Sequence, residues 1–173
     1  MNTREFAGFS IVRNLAGGGM TRMYVALDGQ QNRVVIRILT DEFARHRRFR
    51  KSFFHSAEVL AKLDHPGIVK LVKTGYEGSI PYMALQFVES RSLRDLILYR
   101  DPLLVDNVLS LMRQIAATVF YIHSSGYLHL DIKPENILVQ PDGHVVIIDV
   151  DLAIKRKRRP VRIKQIPGTP SYV

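Results

Sequence analysis

One short segment constrains this chain more than any other: ILVQPDGHVVII at 137–148, two apolar runs on either side of Pro-Asp-Gly. Turn residues between β-rich runs predict a hairpin. Antiparallel pairing brings Asn136, just before the first strand, and Asp149, just after the second, to the same open end. Asp131 lies five residues before Asn136, with Lys133 between them in HLDIKPEN. Two carboxylates and an amide oxygen are hard donors, a set that suits Mg²⁺ completed by phosphate oxygens and water. Alone, each reads as a turn residue capping a strand. Their joint spacing points to a floor that holds a metal ion and phosphate.

The rest of the chain supplies a frame. From 9 to 39 it reads as strands: FSIVRNL, a glycine cluster, MYVAL, a turn at DGQQN, then RVVIRIL. Residues 45–63 read as a helix with Phe53, Ala57, Leu60 and Leu63 on the stripe of Phe49, stopped by DHPG at 64–67. IVKLVKTG and PYMALQF are further strands. A short helix follows around 92–99 and a long one around 105–124, with Val108, Leu111, Ile115, Val119 and Ile122 on one face. Sheet first and helices later is an α+β layout, with a hinge near Gln86–Glu89.

Composition narrows the function classes. A hydrophobic fraction of 46% and a charged fraction of 24% are those of a folded globular chain. The absence of cysteine removes disulfides and thiolate metal sites. No apolar run is read as membrane-spanning and MNTREFAGFS lacks a signal-peptide core, so a cytoplasmic protein without a membrane partner is expected. The net charge of +9 is local: RHRRFRK at 45–51 holds five Lys/Arg and KRKRRPVRIK at 155–164 holds seven. Without those twelve, 13 basic residues face 16 acidic ones, a balance of −3. That distribution, with no aromatics interleaved in 155–164, argues against nucleic acid as a partner. Each patch reads first as a solvated face or loop and second as a specific anion site, the one at 155–164 as a dock for an acidic protein or peptide.

HLDIKPENILV resembles the catalytic loop of protein kinases, H-R-D-x-K-x-x-N, in its Ser/Thr form. The resemblance implies that Asp131 accepts the substrate hydroxyl proton, Lys133 steadies the γ-phosphate, and Asn136 and Asp149 bind Mg²⁺ or Mn²⁺. GTPSYV at 168–173 is similar to the family's peptide-docking loop, which would bond Thr169 to Asp131 and Lys133. LAGGGMTRMYVA at 15–26 resembles the glycine-rich hairpin that covers ATP phosphates, through Gly17, Gly18 and Gly19. VVIR at 34–37 stands where the family has V-A-I-K, while HPGIVKL and YMALQFVE also match. The implied nucleotide set is completed by Val35, Arg37, Leu85, Gln86, Val88 and Leu138, with the main chain of 86–88 bonding adenine.

The pattern is also broken in chemically pointed places. Arg37 replaces the lysine that grips the α- and β-phosphates, and a planar fork is not interchangeable with a compact ammonium. Ser56 stands where the lysine's glutamate partner is expected, and Glu58 points away from that face. Ala16 and Thr21 replace the outer glycines of the phosphate loop, Val35 adds bulk over adenine, and Leu130 replaces the arginine of H-R-D. Asp149-Val150-Asp151 replaces D-F-G.

The expected fold is α+β, a two-lobed kinase-like arrangement. It has an N-lobe at 1–86, with the sheet and one helix, and a partial helical C-lobe at 87–173. The expected function is an ATP-binding domain of the Ser/Thr protein kinase family with impaired transfer from Mg-ATP to protein Ser/Thr. Two alternatives stand beside it: a catalytically inactive pseudokinase scaffold, and a basic-patch binder of acidic partners or nucleic acid.

Overall fold

The computed structural model describes residues 4–156. They divide into two units, one comprising the chain up to Ala61 together with Lys70–Phe87, the other Lys62–Val69 together with the chain from Val88 onward. The chain passes from the first unit to the second at 87/88, and residues 62–69 belong to the second unit although they precede β5.

The first unit carries β1 (Arg4–Phe6), β2 (Phe9–Gly17), β3 (Thr21–Leu27), β4 (Arg33–Leu39), α1 (Asp41–Ala44), α2 (Arg47–Leu60), β5 (Leu71–Glu77) and β6 (Ile80–Gln86). Its strands form one six-stranded antiparallel sheet in the order β1-β2-β3-β4-β6-β5. The period-2 pattern of β4 explains its central place. Val34 and Ile36 bury with Phe9, Ala26, Tyr82 and Ala84 on one side, while Leu39 joins Met83, Phe53 and Ala57 on the other. The turn after β3 is fixed by Asp28, whose Oδ1 accepts from the main-chain N–H of Gln30 and Asn32 at 2.8 Å each. The helix expected over 45–63 spans only Arg47–Leu60, preceded by the separate turn α1. Its stripe is as read over Phe53, Ala57 and Leu60, which are buried, and Phe49, which is half-buried; Leu63 is buried too, but it lies beyond the end of the helix and in the second unit, a correction to the expected stripe.

The second unit carries β7 (Arg91–Ser92), α3 (Leu93–Leu98), α4 (Pro102–Ser124), β8 (Tyr127–Leu128), β9 (Ile137–Val139), β10 (Val145–Ile147) and β11 (Ile154–Lys155). Both helices start at side-chain caps, Ser92 accepting from Asp95 N and Asp101 from Leu103 N, with Pro102 in the first turn of α4. Because α4 begins three residues earlier than expected, Leu103 and Leu104 pack against the core that Leu111 and Ile115 share with β9 and β10. Val108 is left at the stripe's edge and 46% exposed, a correction to the expected face. At 23 residues with a hydropathy of 1.3, α4 is long and apolar enough to span a membrane by length and composition alone, which the sequence reading overlooked. Three short pairings were not expected at all: β1 with β2, β7 with β9, and β8 with β11.

Candidate functional site

In the second unit the β9–β10 hairpin pairs Ile137 with Ile147, and Ile148 donates its N–H to the Asn136 carbonyl at 2.9 Å. Asn136 and Asp149 therefore emerge at one end of the ladder. A 3-10 turn over Pro134–Asn136 folds HLDIKPEN back on this end, its Asn136 N–H bonding Lys133 O at 2.9 Å. Asn136 is buried, and its Nδ2 donates at 3.0 Å to both the main-chain oxygen and Oδ2 of Asp131. The same Oδ2 lies 2.8 Å from Lys133 Nζ. The hydrogen bond to Asp131 raises the Lys133 pKa above its ordinary value, with further support from the negative charges of Asp131, Asp149 and Glu135. Lys133 is thus a fixed cation among three carboxylates.

Two corners of this floor have left-handed backbones, Leu130 at φ 66° and Asp149 at φ 63°. Asp149 Oδ1 accepts from the Asp151 N–H at 3.2 Å, an Asx turn that holds the corner. Val150 is buried at 2% exposure, so the small side chain of D-V-D is a core residue. His129 is also buried, and its Nδ1 accepts from the Asp131 N–H at 3.3 Å. Its Nε2 has no hydrogen-bond partner among the described residues. Burial holds the His129 pKa below its ordinary 6.5, against the nearby negative charge of Asp131.

The donor set fits a hard divalent ion. With Nδ2 turned to Asp131, Asn136 keeps Oδ1 as an acceptor to offer, at the end of the ladder where Asp149 also emerges. Among the described residues no group of three or more His, Cys, Asp or Glu could hold a metal by itself. An ion here would draw on the amide oxygen, one or two carboxylates and oxygens from outside the chain, as Mg²⁺ does with phosphates.

Sequence reasoning missed the parts that hold the hairpin. Gln114 on α4 donates from Nε2 to Gly143 O at 2.9 Å and accepts the Val145 N–H at 3.0 Å. The segment before β5 lies alongside β10: Val69 N–H bonds Ile147 O at 3.1 Å, and Ile147 N–H bonds Gly67 O at 2.8 Å. Tyr121 anchors that segment, stacking on His65 and accepting from Asp64 N at 3.0 Å. The available signal was a glutamine at the border of an otherwise apolar helix stripe. Leu138, on β9, is half-buried, and the Val88 carbonyl accepts from Ser90 Oγ at 3.0 Å.

The remaining nucleotide-binding candidates lie in the first unit. Val35 and Leu85 are register partners on β4 and β6, on the face opposite Val34 and Ile36, and Arg37 shares that face opposite Met83. The Arg37 guanidinium lies 6.0 Å from the Phe53 ring centroid. Ser56 is 1% exposed, and its hydroxyl bonds Ser52 O at 3.2 Å within its own helix. Gln86 N–H is committed to Lys70 O at 2.9 Å. Gly17 ends β2, and Gly18 and Gly19 follow it at the tip before β3. Neither Gly18 nor Gly19 has a positive φ, and a Cβ on either would meet nothing within 4 Å. Thr169 and the basic stretch from 157 lie outside the described residues.

Comparison with known proteins agrees with this architecture. The protein kinase domain family matches residues 9–173. The chain is similar to the serine/threonine-protein kinase PrkC of Bacillus subtilis, 34% identical over 146 residues, covering 84% of this chain and 22% of that protein. It is 32% identical over 169 residues to the serine/threonine-protein kinase PknD of Chlamydia trachomatis, covering 91% of this chain and 18% of the relative. The chain therefore spans about a fifth of the length of these relatives. Among solved structures, the PknI kinase domain of Mycobacterium tuberculosis matches with a TM-score of 0.72 at 25% identity, covering 87% of this chain and 61% of that one.

Proposed function

This chain belongs to the protein kinase family, and on that premise we propose that it is an ATP-binding domain of Ser/Thr type in which transfer of phosphate to protein hydroxyls is impaired. The observation that carries the proposal is the meeting of Asp131, Lys133, Asn136 and Asp149 at one end of the β9–β10 hairpin. Bound Mg-ATP would supply the phosphoryl group and the charge neutralisation that phosphoryl transfer requires. Asn136 and Asp149 would hold the metal. The Asp131 carboxylate would take the substrate hydroxyl proton, its orientation set by Lys133 and Asn136 on Oδ2. Lys133 would meet γ-phosphate charge. Gly18 and Gly19 support a phosphate-covering loop, because neither backbone conformation nor crowding in the first unit explains glycine there.

Impairment rests on the first unit. The family's lysine–glutamate pair is replaced by Arg37, lying over Phe53, and by Ser56, whose hydroxyl bonds within its helix. Positioning supplies most of the catalysis in this chemistry, so its loss lowers rate more than it lowers metal binding. The pseudokinase reading is favoured by the same two residues and departs from ours only in predicting no turnover. An acidic protein or peptide is the partner class we propose, with a cytoplasmic setting and neither membrane nor nucleic acid engaged.

Thermal unfolding with ATP or ADP, each with and without Mg²⁺, tests the binding half. A midpoint rise that needs both nucleotide and metal is expected, and no rise with any combination would overturn it. Slow phosphate incorporation that disappears in Asp131→Asn tests the catalytic half. Binding without incorporation would leave the pseudokinase scaffold.

A further inference from the structure

A cavity of about 490 Å³ in the first unit has no part in the nucleotide reading. Its walls include Asp41 and Ala44 of α1, Arg45 at the corner between the helices, Arg50 in the first turn of α2, Tyr76 near the end of β5, and Ser79 at the β5–β6 turn. The volume lies within the range of small-molecule sites.

The charges of this cavity are unbalanced. Arg50 is half-buried and its Nη1 donates to Ala44 O at 2.6 Å, which pins the guanidinium across the α1–α2 corner through a neutral acceptor. Neither Arg50 nor Arg45 forms an ion pair with a carboxylate among the described residues, although Arg91 and Arg94 do, with Asp101 and Glu135. Asp41 is the one carboxylate in the wall, and it too forms no ion pair among the described residues. The start of α2 adds to the imbalance: its cap residue His46 makes no side-chain capping hydrogen bond and no acid stands in its first turn. Arg45, Arg47, Arg48 and Arg50 thus gather at the positive end of a helix dipole, where cations are disfavoured and an anion is stabilised.

We propose that this cavity binds a phosphate monoester dianion, gripped by the guanidiniums of Arg45 and Arg50 with the hydroxyls of Ser79 and Tyr76 in reach of its oxygens. Two planar forks are the side chains that match phosphate geometry with paired hydrogen bonds. A phosphorylated side chain and a small phosphorylated molecule share this chemistry. The cavity is large enough for the group that carries the phosphate.

The test uses the whole chain, with thermal midpoint and calorimetric titration against inorganic phosphate, O-phosphoserine and glucose 6-phosphate, each at ionic strength matched with sodium chloride. Saturable binding is expected, and the tighter of the two esters identifies the source. Arg45→Gln, at an exposed position where folding is not at stake, weakens phosphate about tenfold, as does Arg50→Gln. Asp41→Asn tightens it by removing a like charge. Arg37→Gln leaves it unchanged, which separates this site from the nucleotide set: phosphate binding lost in Arg37→Gln but kept in Arg45→Gln would overturn the proposal. So would a midpoint that follows ionic strength alone, or equal affinity in the parent and Arg45→Gln.

Discussion

Asn136 turns its amide nitrogen onto Asp131, donating at 3.0 Å to both the carbonyl and the carboxylate of that residue. One side chain thereby orients the carboxylate we propose as proton acceptor and leaves its own oxygen for the proposed metal. In Asn136→Asp a second carboxylate faces the first. We expect a loss of about 1–3 kcal/mol in metal-free buffer, from the lost donor and the like charge, and partial recovery on adding Mg²⁺. Equilibrium denaturation with and without the ion measures both; a variant indifferent to Mg²⁺ would count against a metal at this position.

Gln114 spans the hairpin from α4 with a donor to Gly143 O and an acceptor to Val145 N. Gln114→Leu leaves two partly buried main-chain groups without partners, at a cost of about 1–3 kcal/mol. Because the hairpin sets the spacing of Asn136 and Asp149, the Mg²⁺ requirement for nucleotide stabilisation should rise as well. Chemical denaturation and a Mg²⁺ titration of the ATP-induced midpoint shift separate the two effects.

Gly67 is packed so closely that an added Cβ would overlap Thr118 Oγ1, and His65 Nδ1 would stand 3.1 Å away. Gly67→Ala is expected to destabilise by about 1–3 kcal/mol. The double variant with Thr118→Ala should recover most of that, a coupling measurable in a double-mutant cycle. Additive losses would show that the strain lies elsewhere.

His129 is held neutral by burial, its folded pKa below the ordinary 6.5. Below pH 6.5 the unfolded chain takes up a proton that the folded chain resists. This contribution to stability is therefore complete above 6.5 and declines as pH falls towards the folded value, by at most about 1.4 kcal/mol per pH unit. Unfolding curves between pH 7.5 and 5 should show a shallower acid limb in His129→Gln than in the parent. Parallel limbs would assign the titration to other groups.

Much of this was legible because it is local. Pro-Asp-Gly between two apolar runs sets the hairpin, the alternation of RVVIRIL sets the central strand, and the Phe53-Ala57-Leu60 spacing sets the helix face. What escaped reading depends on partners distant in sequence. Gln114 reaches Gly143 and Val145, Tyr121 reaches Asp64, and residues 62–69 join the second unit through Ile147. Val108 was misplaced although its spacing suits the stripe, because an apolar residue at the right period is buried only where another element packs against it. The basic run at 45–51 was visible as charge. That Arg50 is pinned beside a cavity was not, since its acceptor is a main-chain oxygen at the end of another helix.

The left-handed corners carry a cost of roughly 1–2 kcal/mol at Leu130 and less at Asp149, where the Asx turn offsets part of it. The version of this polypeptide that best resists heat is therefore not the one with these residues. Laboratory evolution scored on heat tolerance alone would drift towards glycine or asparagine at both positions, and at 149 it would discard a carboxylate on the way. Persistence of aspartate there under such selection would mean that something other than metal chemistry keeps it.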